Sequence, residues 1–388
     1  MNMLIQWACK IMLLFCLLFG FLTSIASSSP PKLEAQAAIL IDAKTGQILY
    51  EKNSHVRNAP ASTTKVLTAI IAIESGQLDE EVKVSSRAAN TAGSSMHLST
   101  GQLISMRELV IGLLLRSGND AAVAIAEHLA GSVENFVTLM NHKAQLLDAT
   151  GSHFANPHGL TAPNHYSTAF DLAWITKYAL TNPIFSTIVN TRQTNIEWLD
   201  KKGKEHDQSL KNTNKLLWLL EEADGVKTGT TNQAGPCLIA SATRGNQRLI
   251  AVVLHDHSRW YDSMQLLKYG FDAFELYEYA SKDDVVGSIP VEGGLGSIID
   301  AVVSSNASVV VPASDYEHVS ISVNLPEKIN APVYQGQKIG EIVFFVNQQA
   351  VKTVDITSAQ TIEERTHSKT LLRYLLRTFH LLSNWGVL

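Results

Sequence analysis

Cysteine is scarce in this sequence. Of three in 388 residues, Cys9 and Cys16 lie in an N-terminal apolar segment and Cys237 stands alone beyond it. With one cysteine left after that segment, no intramolecular disulfide can brace the chain. Cys16 lacks the small residues that precede a lipid-modified cysteine, and Cys237 reads as a small apolar strand residue rather than a reactive thiol. Charge is also sparse: Asp, Glu, Lys and Arg make up 17% of the residues and the net charge is −5, which argues against a nucleic-acid binder. The apolar run Ile11–Leu22 is too short to span a bilayer comfortably. His255-Asp256-His257 puts two imidazoles on one strand face, but no third ligand follows at a suitable spacing, so neither a metal nor a cofactor is expected.

What remains is a chain that is 45% hydrophobic and long enough to favour two domains. Lys10, the apolar run and Ser24-Ile25-Ala26 have the order of a secretory signal, residues 1–26, cleaved after Ala26. AAILIDA at 37–43, the turn Lys44-Thr45-Gly46 and QILYEKN predict a β-hairpin. A helix should start near Ser62 and run to about residue 75. Further helices are expected at 105–116, after Asn119 and from Ser132 to Leu147, and an ordered loop over 156–168. GVKTGTT, CLIASATR and RLIAVVLHD are strand-like, and residues 259–279 look helical. The prediction is an α+β fold, an antiparallel sheet flanked by helices, over residues 32–280. Six short strand-like runs then mark a small all-β domain at 281–360. No internal repeat is present. In the tail, 366–388, Lys369, Arg373, Arg377 and His380 fall on one helical stripe, with leucines, Phe379 and Trp385 around the rest. This predicts an amphipathic helix lying in a membrane surface.

Three short motifs carry chemistry: Ser62-Thr63-Thr64-Lys65, Ser117-Gly118-Asn119 and Lys227-Thr228-Gly229. Each recurs elsewhere, at Ser29 to Lys32, at Ser304-Ser305-Asn306 and at Lys44-Thr45-Gly46, so context decides. Pro30 and Pro31 forbid a normal helix at the first copy. The second copy lies between strands of the β domain, and the third is a hairpin turn whose glycine is explained by turn geometry. At a helix start, by contrast, residues i and i+3 share a face, so Lys65 can reach the Ser62 hydroxyl. Serine is a poor nucleophile until a neighbour takes its proton, and lysine can do so only if burial or a second cation lowers its pKa. Lys227 could be that cation. The helix start offers a backbone N–H and a positive dipole end to an oxyanion. Gly229 lets an edge strand lie close to a substrate backbone.

These motifs resemble those of the penicillin-recognising serine acyltransferases. Within that group the chain is similar to the low-molecular-mass penicillin-binding proteins, the serine-type D-Ala-D-Ala carboxypeptidases. The likeness runs from about Ala37 onward through APASTTKVLTA, LLLRSGNDAAVAIAE, NPHGL and DGVKTGTTNQAGPCLIASA. It implies that Ser62 is acylated by the penultimate D-alanine, that Lys65 is general base, and that Ser117 relays protons with help from Lys227. It further implies that Asn119 holds the substrate amide and that Thr228, with Arg248, binds the terminal carboxylate. The oxyanion would sit between the N–H groups of Ser62 and Thr230. Asp171 either braces the site or caps a helix. The implied partners are peptidoglycan stem peptides ending in D-Ala-D-Ala, β-lactam antibiotics and the membrane surface. The implied location is the outer face of the cytoplasmic membrane or the cell wall.

Two enzymatic alternatives fit less well. A class A β-lactamase needs a Glu in an E-x-x-L-N stretch, and Glu197-Trp198-Leu199-Asp200 lacks the Asn. A high-molecular-mass transpeptidase needs a large domain before the nucleophile, for which Ser62 lies too early. A non-catalytic penicillin sensor uses the same residues and stays open at this point.

Overall fold

The computed structural model describes residues 29–366. The export signal predicted for 1–26 and, apart from Thr366, the tail helix predicted for 366–388 lie outside the described residues.

A five-stranded antiparallel sheet organises the first part of the chain, in the spatial order Ile48–Lys52, Ala37–Asp42, Gln247–Leu254, Gly235–Arg244, Ala223–Thr231. Ala37–Asp42 is buried throughout because both faces are covered. Ala37, Ile39 and Ile41 point into one apolar cluster, while Ala38 and Leu40 point into the other. That is why this strand reads as a continuous apolar run rather than an alternating one. One face carries helices Lys65–Glu74, Met106–Leu115, Asn119–Ala130, Val133–Leu146 and Ala169–Leu180, the other helix Arg259–Ala273. Fully burying a Leu or Ile contributes about 1.5–3 kcal/mol, so the nucleophile helix, with Val66, Leu67, Ile70 and Ile73 buried, is fixed by its apolar face.

The helix starts follow local chemistry. Ser105, Ser132 and Thr168 each accept from the backbone N–H three residues on, satisfying donors that a helix start leaves open. The Lys44-Thr45-Gly46 copy is a turn: Asp42 Oδ1 accepts from the Thr45 N–H and hydroxyl, and Gly46 takes φ +75°.

Two elements differ from expectation. The helix predicted to reach residue 279 stops at Ala273, and Phe274–Ala280 is a strand paired with Ala307–Pro312. Leu276 is buried and Glu275 exposed, and it is the ladder to Ala307–Pro312, not a clean alternation, that overrides the helix propensity of Glu and Leu. A second small sheet, Glu81–Lys83, Leu103–Ser105, Gln193–Leu199 and Glu205–Lys211, had no counterpart in the sequence reading. Its long hairpin is polar on most positions, and Ile196 and Leu210 are its buried anchors.

Beyond the first sheet, a six-stranded sheet packs around Ile299, Ile342, Phe344 and Ile356. The all-β domain expected there is present. Among the described residues no helix is long and apolar enough to cross a membrane.

Candidate active site

Ser62 sits in a 3-10 turn, Ala61–Thr64, that runs into helix Lys65–Glu74. Lys65 is fully buried, and its Nζ donates to Ser62 Oγ at 3.0 Å, to Asn119 Oδ1 at 2.7 Å and to the His158 carbonyl at 2.6 Å. The first and second motifs therefore meet at one ammonium group. Asn119 is held in turn: its Nδ2 donates to the Ala92 carbonyl at 2.7 Å and its N–H to the Ser94 carbonyl at 2.7 Å. Asp120 accepts from the N–H groups of Met96 and Leu98 and from the Ser95 hydroxyl, which ties the 92–98 loop to the same helix start.

Ser117 has φ +63° and is 6% exposed, and its Oγ has no hydrogen-bond partner among the described residues. A buried hydroxyl without a partner is uncommon in native folds. Ser117 stands two residues before Asn119.

The third motif lies on the edge strand Ala223–Thr231. A Cβ on Gly229 would stand 2.9 Å from the Ser62 nitrogen, so the absence of a side chain is what lets this strand lie against the nucleophile turn. Gly159, at φ +89°, does the same from the other side, where a Cβ would fall 1.8 Å from the Ala61 carbonyl. Lys227 is buried and its Nζ donates to the Thr228 carbonyl at 3.0 Å. The Thr228 hydroxyl lies 3.2 Å from that of Thr213.

Burial, with the Lys227 charge added, holds Lys65 well below its ordinary value of 10.5, against an upward pull from Asp120. Burial and Arg259 bring Lys227 down to about 7. Burial and the Lys65 charge bring His158 to about 3, so its imidazole is neutral. Burial brings His165, whose Nε2 lies 3.0 Å from Thr64 Oγ1, to about 4. The cluster thus weakens the hold of Lys65 on a proton beside the Ser62 hydroxyl. Acylation should accordingly set in at a pH well below the ordinary lysine range, as Lys65 gives up its proton. Between about 7 and 10.5 the unfolded chain binds more protons at Lys227 than the folded one, so this group makes stability rise with pH in that window. Penicillin-labelling rates and melting temperatures across pH 6–10 check both limbs.

Arg248 does not join the cluster. It pairs with Asp224 at 3.0 Å and reaches Ser186 at 3.1 Å, at the start of the Ala223–Thr231 strand. At about 3.3 Å per residue that is roughly 17–20 Å from Gly229 and Thr230. Arg259 occupies that end instead, donating to the Gly229 carbonyl at 2.9 Å, to Thr230 Oγ1 at 2.9 Å and to the Cys237 carbonyl at 3.2 Å. The signal lay in register. Gly229 pairs with Cys237 and Leu238 with Val253, so the chain leaving Leu254 must emerge at the Gly229 end. The Asp256 N–H to Pro236 carbonyl bond, 2.8 Å, holds it there.

Asp171 lies in the first turn of helix Ala169–Leu180 rather than in the preceding loop. Its N–H is capped by Thr168 Oγ1, and its carboxylate accepts from Ser152 Oγ at 2.6 Å. Cys237 is buried, and burial pushes its thiol up to about 11, consistent with a core residue. Among the described residues no group of three or more His, Cys, Asp or Glu side chains could hold a metal. Glu197 lies on the polar hairpin, where its N–H donates to Glu108.

A buried lysine on a serine, a second buried lysine and a strand edge define a serine acyl-transfer enzyme. The chain matches the D-alanyl-D-alanine carboxypeptidase family over residues 24–258 and the C-terminal domain of penicillin-binding protein 5 over residues 274–364. It is 36% identical to the D-alanyl-D-alanine carboxypeptidase DacF of Bacillus subtilis, over 80% of this chain and 81% of that one. It is 32% identical to DacC of Escherichia coli, over 90% of each. Penicillin binding protein 5 from Haemophilus influenzae superposes with a TM-score of 0.75 at 30% identity, covering 87% of this chain and 100% of that one. This protein belongs to the D-alanyl-D-alanine carboxypeptidase family.

Proposed function

We propose that the protein removes the terminal D-alanine from peptidoglycan stem peptides through an acyl-enzyme on Ser62. The observation that carries this is the 3.0 Å contact from the buried Lys65 Nζ to the Ser62 hydroxyl, in a cluster whose burial and Lys227 charge make the lysine easier to deprotonate. Neutral Lys65 takes the Ser62 proton as Oγ attacks the penultimate D-Ala carbonyl carbon. The oxyanion forms between the N–H groups of Ser62 and Thr230. Ser117 passes a proton, with Lys227 behind it, to the departing D-alanine nitrogen as the C–N bond breaks. Asn119 holds the substrate amide on the acyl side. The terminal carboxylate meets Thr228 and Arg259, the latter taking the part expected of Arg248. A water then attacks the ester, Ser62 recovers its proton, and the shortened peptide leaves. A β-lactam opens on Ser62 by the same first step and stays bound as the ester.

In this reading residues 1–26 direct export, residues 32–280 catalyse, residues 281–360 form a spacer, and the basic tail from 366 rests on the outer face of the cytoplasmic membrane. The purified mature chain should release D-alanine from a soluble peptide ending in D-Ala-D-Ala. Ser62→Ala should lose both that release and penicillin labelling. Stoichiometric labelling of the wild type with no D-alanine release would instead make it a penicillin sensor.

A further inference from the structure

A groove of about 480 Å³ opens beside the catalytic strand, lined by Arg116, Lys211, Thr213, Lys215, Trp218 and Leu219. It shares a wall with the site. Thr213 Oγ1 lies 3.2 Å from Thr228 Oγ1, Thr213 donates from its N–H to the Leu115 carbonyl at 3.0 Å, and Arg116 directly precedes Ser117. The three cations are exposed, no carboxylate lines the groove, and among the described residues none of them pairs with one. Trp218 is 43% exposed and the adjacent Leu219 56%, and Lys211 Nζ stands 5.1 Å from the Trp218 ring centroid. In a chain of net charge −5 this is a local reversal of sign. The turn end of the same hairpin is the opposite, an acidic groove lined by Glu197, Glu205 and Asp207 with Glu81 and Glu108.

We infer that this groove is a docking subsite for the polymeric wall, taking a carboxylate-bearing peptide of the same peptidoglycan strand that carries the scissile bond. The inference rests on the carboxypeptidase reading, and three observations select this occupant. The groove continues from Thr228, where that reading places the terminal carboxylate. Its charge complements peptides that end in carboxylates. Its exposed Trp and Leu give a flat apolar floor for the aliphatic and sugar parts of a polymer, which a bare anion would not use. Cations around a groove also raise the local concentration of an anionic partner, an effect that salt screens. In the carboxypeptidase reading a short soluble peptide ends at Thr228, on the near side of Thr213 from Lys211 and Lys215. The groove therefore acts on insoluble wall and not on small peptides.

The test compares the mature wild type with Lys211→Glu/Lys215→Glu and with Trp218→Ala. D-alanine release is measured from a soluble tripeptide ending in D-Ala-D-Ala, from insoluble peptidoglycan stripped of phosphate-containing polymers and from walls that retain them, at low and high salt. On the polymer, the charge-reversed variant should lose about tenfold or more in rate at low salt, and its salt dependence should vanish. Trp218→Ala should lose polymer activity at both salts. On the soluble peptide both variants should stay within about twofold of wild type, and equal penicillin labelling shows that they fold. Equal losses on both substrates, or an unchanged polymer rate, would overturn the inference. So would an effect that appears only on walls retaining phosphate polymers, which would assign the groove to those polymers. Failure of the wild type on the soluble peptide would instead refute the carboxypeptidase reading.

Discussion

Lys65→Arg is expected to slow acyl-enzyme formation by roughly 10³–10⁴-fold, with penicillin and with a D-Ala-D-Ala peptide alike. The variant keeps a basic side chain but removes its ability to become neutral, and an unchanged melting temperature shows that the larger guanidinium is accommodated. A guanidinium stays protonated at any working pH and cannot take the Ser62 proton, whereas a buried ammonium can shed its own. Lys65 has what that requires: full burial, the Lys227 charge close by, and three acceptors that fix its Nζ, among them Ser62 Oγ at 3.0 Å. The loss should appear in kcat/KM and in the penicillin acylation rate constant, and raising the pH to 10 should not restore it. Retention of activity within about tenfold would move the base elsewhere, to Ser117 backed by Lys227.

The nucleophile half of the site was legible because its logic is local. Ser62 and Lys65 are three apart on one turn, and the two prolines that spoil the Ser29 copy are adjacent in sequence. The apolar strands and capped helices were legible for the same reason. What escaped depends on summed pairings. Arg259 reaches Gly229 only because three strands are in a particular register, and an arginine two strands away from its target carries no local mark. Arg248 was implied by the resemblance, yet it sits at the wrong end of the sheet. The hairpin Gln193–Lys211 escaped because its strands are mostly polar on both faces, so no period of two stands out. The orphaned Ser117 hydroxyl and the neutral His158 are facts of burial, which no motif states.

Gly229→Ala should cost catalysis far more than stability. The added methyl would meet the Ser62 nitrogen at 2.9 Å, the Ala61 Cβ at 3.0 Å and the Thr63 nitrogen at 3.1 Å. Two of those neighbours are backbone atoms and cannot rotate aside, so strand and nucleophile turn must separate. The pair of N–H groups from Ser62 and Thr230 that would hold the oxyanion spans this contact. A misplacement of about 1 Å costs on the order of 10²-fold in rate, and loss of one oxyanion donor about 10²–10³-fold. The expected result is a fall of roughly 10²-fold in kcat with a smaller change in KM, because the donors bind the charged intermediate more strongly than the ground-state carbonyl. The fold should survive, since Gly229 is a strand residue outside the positive-φ set and its pairing with Cys237 does not involve the missing side chain. Gly159 marks the contrast. There φ is +89° and a methyl would strike the Ala61 carbonyl at 1.8 Å, so a side chain perturbs the loop itself and lowers the melting temperature. A Gly229→Ala enzyme with near-wild-type kcat would show that the strand has slack against the nucleophile turn and that the oxyanion is held by other donors.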